Sequence, residues 1–286
     1  MDTNINIKEE YRHLIETAAD DRDAIDRLSE IIRVLREKCP WDKVQTHESL
    51  RKGMIEEAYE AVEAIDNEDM PNLREELGDV LLQVVFHANL AEEEGQFDLK
   101  DVINEECEKM INRHPHVFLQ ETGNNDPKSI DKVLEKWENI KVKEKNEQTC
   151  TSRLQRVPKA LPALMRAFKI QKKAADVGFD WDDVSEALNK VDEERLELTE
   201  CCECKTMSRQ GIEEELGDLL FSCVNVARFL DVDPEQALNN TTEKFIRRFG
   251  YIEGQAESIG KNLTEMTLSE MDMLWEEAKK SEHTNM

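Results

Sequence analysis

The chain reads as all-α, with two tandem copies of one helical-bundle domain. Three observations lead there. Glycine and proline are scarce, 10 and 7 in 286 residues, and no long run alternates apolar with polar as a strand would. Apolar residues instead recur at helical spacing. Finally, one acidic skeleton occurs twice, about 138 residues apart. Glu56-Glu57-Ala58-Tyr59-Glu60 precedes Glu75-Glu76-Leu77-Gly78-Asp79, and Glu193-Glu194-Arg195-Leu196-Glu197 precedes Glu214-Glu215-Leu216-Gly217-Asp218.

Residues 1–21 form an acidic N-terminal extension without the basic and apolar segments of a signal peptide. The first domain covers 22–141. Its first helix, 22–38, places Ile25, Leu28, Ile31, Ile32 and Leu35 on one face, and Cys39-Pro40-Trp41-Asp42 breaks it. Residues 47–66 form the helix with the first EExxE. Pro71 stands ahead of a third helix, which carries EELGD and continues as Val80 to Phe86, apolar nearly all round as in a buried helix. Gly95 ends it. Residues 99–113 form a fourth helix, stopped at His114-Pro115-His116, where both histidines read as structural.

Residues 142–155 are polar and aperiodic and read as a linker. The second domain, 156–286, repeats the plan. Pro162 opens a helix that breaks near Val177-Gly178-Phe179-Asp180-Trp181. Residues 184–205 carry the second EExxE, 212–230 the second EELGD and another apolar run, and 235–250 a further helix. The repeat extends beyond the acids: Lys109 and Arg113 match Lys244 and Arg248, and Trp137 with Lys141 matches Trp275 with Lys279. Two copies indicate a duplicated domain rather than a solenoid, which needs about three stacked units.

The formal charge of −26 disfavours nucleic acid and anionic membrane as direct partners. A small anionic substrate stays open, because a bound divalent metal inverts the local field. No apolar run approaches the roughly 20 residues of a membrane helix. Seven cysteines, odd in number and irregularly spread, fit a reduced compartment, so the expected location is cytoplasmic. Cys201-Cys202-Glu203-Cys204 lacks the further ligands of a zinc site.

Residues three and four apart share a helix face. Glu57 with Glu60, Glu76 with Asp79, Glu194 with Glu197 and Glu215 with Asp218 therefore project together. If the paired helices lie side by side, four carboxylates converge in each half, and an all-oxygen set suits Mg2+ or Mn2+ rather than zinc. A single EExxE is usually a solvated face. Here Leu-Gly-Asp opens a run expected to be buried, where an acid is costly without a partner. The glycine is expected at a close helix approach, at about 1 kcal/mol of helix propensity. Lys109 with Arg113, and Lys244 with Arg247 and Arg248, offer cations to phosphate oxygens, or else pair with neighbouring glutamates. Trp137 and Trp275 stack on a base or serve the core.

With these motifs the chain resembles the MazG family of nucleoside triphosphate pyrophosphohydrolases, from about Asp26 to Lys280. The resemblance includes Cys39 to Asp42, Arg113 to Phe118, Leu161 to Arg166, Val177 to Trp181 and Glu243 to Arg248. It implies an all-α homodimer that uses Mg2+ to cleave (d)NTPs to monophosphate and pyrophosphate. It also implies metal ligands at Glu194, Glu197, Glu215 and Asp218, with Glu57, Glu60, Glu76 and Asp79 as first-half equivalents. Nucleotide contacts are implied at Lys190, Lys244, Arg248 and Trp275, with Glu214, Arg247 and Lys279 beside them on the substrate side. Glu193 is the expected general base. One departure is Gly211-Ile212, where some relatives place a lysine; Arg209 is the nearest base.

The second half is the expected seat of turnover. The first offers Lys52, one position out of register with Lys190, and Asn112 opposite Arg247. Two other classes stay open. A di-iron carboxylate bundle wants ExxH on two helices, and Glu10 with His13 alone fits. A catalytically inactive binding or regulatory module is separated from the enzyme by a metal-dependent pyrophosphate-release assay.

Overall fold

The computed structural model describes residues 8–118, 133, 137, 140, 149–203 and 208–284, and every regular element among them is helical. The chain divides into two compact units, Met1–Lys141 and Val142–Met286.

The first unit contains α1 (Asp21–Lys38), α2 (His47–Asp66), α3 (Met70–Glu93), α4 (Leu99–Arg113) and the single turn α5 (Pro115–Phe118). Local chemistry fixes the helix starts. Asp20 caps α1 by accepting from the Asp23 N–H at 3.0 Å, and Asp98 caps α4 through the Asp101 N–H at 2.9 Å. Thr46 and Ser49 cap α2 reciprocally. Asp69 caps α3, with Pro71 in the first turn, where a missing N–H costs nothing. Gly95 takes φ +68 just past the end of α3, a conformation glycine adopts freely. α2 and α3 pack along their lengths. Their core joins Ile32 of α1 to Leu50, Val85, Phe86 and Leu90, with Leu28, Leu82 and Leu99 against it. Arg36 ties α1 to the Cys39–Asp42 turn and to α3, donating to the Asp42 and Gln45 carbonyls and to both Glu93 oxygens.

The second unit contains α6 (Cys150–Gln155), α7 (Ala163–Ala175), α8 (Val184–Glu203), α9 (Arg209–Phe229), α10 (Pro234–Ser258) and α11 (Leu268–Thr284). α8 and α9 form its long pair, as α2 and α3 do in the first unit. α7 packs on α9, and α10 on α11 and α7. Arg228 clamps the loop before α8 through Asp180, at 2.9 and 2.5 Å.

Several expectations change. Part of the N-terminal extension is docked: Glu9–Ile15 forms a 3-10 helix, and Arg27 donates to the Leu14 carbonyl at 2.7 Å. The described end of the expected linker is α6, capped by Thr149 and followed by buried Val157. α10 runs on past Gly250 and Gly254, because that stretch buries Ile252 and Ala256. Such burial outweighs a glycine's cost of about 1 kcal/mol in helix propensity.

The runs after EELGD are not buried all round: Leu81 is exposed on α3, as are Leu220 and Phe221 on α9, and so are the motif leucines Leu77 and Leu216. Nor do the motif glycines mark a close approach within either unit: a Cβ at Gly78 or Gly217 would meet nothing within 4 Å. That face of each helix points away from its own unit's core. No helix among the described residues is long and apolar enough to cross a membrane.

Candidate active site

The α2–α3 pair brings Glu57, Glu76 and Asp79 together, each offering one oxygen within 4.8 Å of the others. The α8–α9 pair does the same with Glu194, Glu215 and Asp218. Three of each four expected ligands thus converge. Helix spacing explains the convergence: Glu76 and Asp79, like Glu215 and Asp218, are three residues apart on one helix and face a glutamate of its neighbour. The fourth residue stands one turn along. Glu60 is exposed but close enough for its charge to act on Glu76 and Glu57. Glu197 hydrogen-bonds Glu194. With oxygen donors only, both groups fit a hard divalent cation by the chemistry of the set.

Electrostatics strains the first group. Glu76 is only 9 % exposed, and its carboxyl is pushed above the usual range by burial first and then by Glu60 and Asp79. Glu57 is raised by burial and then by Asp79 and Glu60. In the second group Lys190 answers the negative charge. Its Nζ lies 2.6 Å from Glu194, which is 5 % exposed, and 2.9 Å from Glu193. Hydrogen bonds to Glu194 and then Glu193 raise the Lys190 pKa. Glu197 is raised by its bond to Glu194, then by burial.

A carboxyl raised by folding stabilises the fold only where it is protonated. Its contribution is present at low pH and lost as pH rises through the folded pKa. At neutral pH the metal-free first group is therefore a liability. Glu76→Gln should raise the metal-free melting midpoint at neutral pH, with the gain shrinking as pH falls and the carboxyl protonates. Calorimetry after chelation measures it; an unchanged or lowered midpoint refutes the strain.

The remaining expected residues are outside the converging oxygens. Glu193 is exposed, outside the converging oxygens, and held by Lys190. Glu214 is exposed and accepts from Gln210 at 3.2 Å. On α10, Arg248 donates to Glu282 of α11 at 2.9 and 2.7 Å, Arg247 reaches the same carboxylate at 3.7 Å, and Lys244 acts on it through its charge. Arg248 also lies over the Trp275 ring, 5.6 Å from its centroid, and Trp275 contacts Phe245. Lys279 pairs with Glu276. These cations are thus paired with two acids of α11, Glu282 and Glu276. In the first unit Lys109 pairs with Glu106, and His114, its Nδ1 donating to the Met110 carbonyl at 2.7 Å, lies against Trp137.

Sequence reasoning missed a polar layer next to the first group. Gln83, one turn past Asp79, lies over Gly53, one turn before Glu57; a Cβ at Gly53 would sit 3.0 Å from its Nε2. His87, a turn further on, hydrogen-bonds His47 Nδ1 to Nδ1 at 2.7 Å. The signal was Gln83 and His87 at i+4 and i+8 from Asp79, the first inside and the second just past a run read as apolar nearly all round.

The MazG nucleotide pyrophosphohydrolase domain profile matches residues 45–118 and 182–251, which bracket both acidic helix pairs. The chain is 45% identical over 261 residues to the nucleoside triphosphate pyrophosphohydrolase/pyrophosphatase MazG of Thermotoga maritima, covering 91% of this chain and 97% of that one. It is 42% identical over 261 residues to the nucleoside triphosphate pyrophosphohydrolase of Escherichia coli K12, covering 90% and 98%. It is also 52% identical over 256 residues to YabN of Bacillus subtilis, covering 88% of this chain and 51% of that protein. Two profile matches, each centred on a converging carboxylate group, and relatives aligned end to end establish that the chain belongs to the MazG nucleotide pyrophosphohydrolase family.

Proposed function

We propose that this protein is a nucleoside triphosphate pyrophosphohydrolase that cleaves the bond between the α- and β-phosphates of (d)NTPs, giving monophosphate and pyrophosphate with Mg2+ or Mn2+. The observation that carries the reading is the Glu194–Glu215–Asp218 group with Lys190 on its rim. Glu194, Glu197, Glu215 and Asp218 would hold the cation, which would supply water activation and neutralisation of the charge developing at the α-phosphate.

The chain's own groups supply the rest. Lys190 leaves its carboxylates for phosphate oxygens, which frees Glu193 to accept the proton of the attacking water. Arg247, Arg248 and Lys244 hold the departing pyrophosphate once Glu282 gives them up. Trp275, with Phe245, offers a stacking face to the base. Glu214 and Lys279 stand at the outer edge of the substrate side. In this reading the protein works in the cytoplasm. A (d)NTP panel with Mg2+ tests it: monophosphate plus pyrophosphate is expected, whereas diphosphate plus phosphate, or no turnover, refutes it.

A homodimer is part of the same proposal. Each acidic helix pair leaves apolar residues outside, Ile55, Tyr59, Val62, Leu77 and Leu81 in the first unit and Leu188, Leu196, Leu216 and Leu220 in the second. Gly78 and Gly217 on that outer side leave room for a close neighbour. Light scattering should give twice the 33.2 kDa chain mass at micromolar concentration; a monomer there rejects it.

A further inference from the structure

The two carboxylate groups differ in what stands against them. Four residues before Glu57 is Gly53; four before Glu194 is Lys190. Four residues past Asp79 is Gln83; four past Asp218 is Ser222. In the second unit the Lys190 ammonium already occupies the rim, 2.6 Å from the most buried acid of the group. Among the described residues of the first unit no cation takes that place. Lys52 pairs with Glu56 at 2.6 Å, well exposed to solvent, while the neutral Gln83 amide fills the space over Gly53 and leaves its buried Oε1 without a hydrogen-bond partner. Glu76, nine-tenths buried, has no hydrogen bond or ion pair among the described residues. Among the described residues, one group is thus three carboxylates with no counter-charge against them, and the other carries its own.

We infer that the two groups load their cations differently: the first binds a free divalent ion by itself, and the second takes its ion together with a polyphosphate that draws Lys190 away. The inference rests on the metal reading proposed above. Its physical basis is charge count. Attraction for a divalent ion rises with the uncompensated charge of its ligands, and a lysine seated on a ligand must be displaced before the ion is held. An anionic phosphate offers that ammonium an alternative partner, so in the second unit ion and substrate bind with mutual reinforcement. The first unit has no such coupling, because Gln83 is neutral and puts no counter-charge on the group that a phosphate would have to draw away.

Mn2+ alone is the probe, titrated into the chelator-treated full-length protein and followed by electron paramagnetic resonance of the free ion. Two classes of site are expected, differing about 10- to 100-fold in affinity, the range by which groups bonded to a metal's ligands tune a site. Glu76→Gln/Asp79→Asn should remove the tight class, and Glu215→Gln/Asp218→Asn the weak one. An α,β-methylene nucleoside triphosphate should strengthen the weak class, beyond the Mn2+ taken up by the analogue alone, and leave the tight class unchanged.

Lys190→Met should tighten the weak class. The exchange Gly53→Lys/Gln83→Ser, which copies the second unit's residues into the first, should loosen the tight one, with circular dichroism confirming that each variant is folded. Equal affinities, a tight class lost with Glu215 and Asp218, or indifference to Lys190→Met overturns the inference while leaving the metal reading standing. Absence of Mn2+ binding from both units overturns both.

Discussion

Asp218→Asn should lower pyrophosphate release from (d)NTPs by about a hundredfold or more in the full-length chain, while Asp79→Asn leaves most of it. Removing a single preorganised group that stabilises developing charge typically costs 10²- to 10³-fold, and Asp218 offers one of the three converging carboxylate oxygens of the second unit. The ranking of the halves follows from the cations. Lys190 stands on the second group, and Arg247 and Arg248 are gathered on α10 behind it in sequence. The first unit has Gly53, Asn112 and Arg113 at the corresponding places, one cation against three. Neutralising Asp218 also removes repulsion among the acids, so the metal-free protein should melt no lower than wild type. That separates a lost site from a lost fold. If Asp79→Asn abolishes turnover and Asp218→Asn spares it, the assignment of the active half is wrong.

Arg36→Met should destabilise the first unit by about 2–4 kcal/mol, the range for breaking a largely buried, charged hydrogen-bond network. The side chain is buried between α1 and α3. It satisfies two carbonyls of the turn before α2 as well as the Glu93 carboxylate, whose pKa it lowers. Methionine keeps much of the volume and leaves all of those acceptors behind. Glu93→Gln, which removes one exposed charge and keeps the carbonyl bonds, should cost well under half as much. Thermal unfolding of both variants gives the comparison, and a loss below about 0.5 kcal/mol for Arg36→Met, the level of an ordinary surface change, would show that the turn is held by something else.

The resulting picture is of two helix pairs of one design with unequal surroundings. The boundaries of α2 and α4 were legible to the residue, because their caps are local: Thr46 with Ser49, and Asp98 with Asp101, satisfy the first-turn N–H groups wherever the helix later packs. The convergence of the acids was legible for a similar reason, since spacings of three and four define a face and the duplicated motif signalled that the face was used twice. The Lys190 pairs with Glu193 and Glu194 also lie within one turn, so they too were written in the local sequence.

What the primary structure left open was decided by contacts between distant segments. Nothing near Arg248 announces Glu282, thirty-four residues on, as the acid that holds it. The EELGD glycines looked like close-approach sites and prove to face outward. The apolar runs after them looked buried all round, yet Leu220 is 50 % exposed. Periodicity tells which residues share a face of a helix but not which neighbour, if any, covers that face. The same limit hid Gln83: an amide inside an apolar run reads as an exception until the opposing helix is seen to present Gly53. Composition and spacing thus indicated the helices, the duplication and which acids share a helix face. The partners of the charged groups, and so the difference between the two carboxylate groups, came from tertiary packing, because the energy of a buried charge depends on what stands within a few ångströms of it and not on its sequence neighbours.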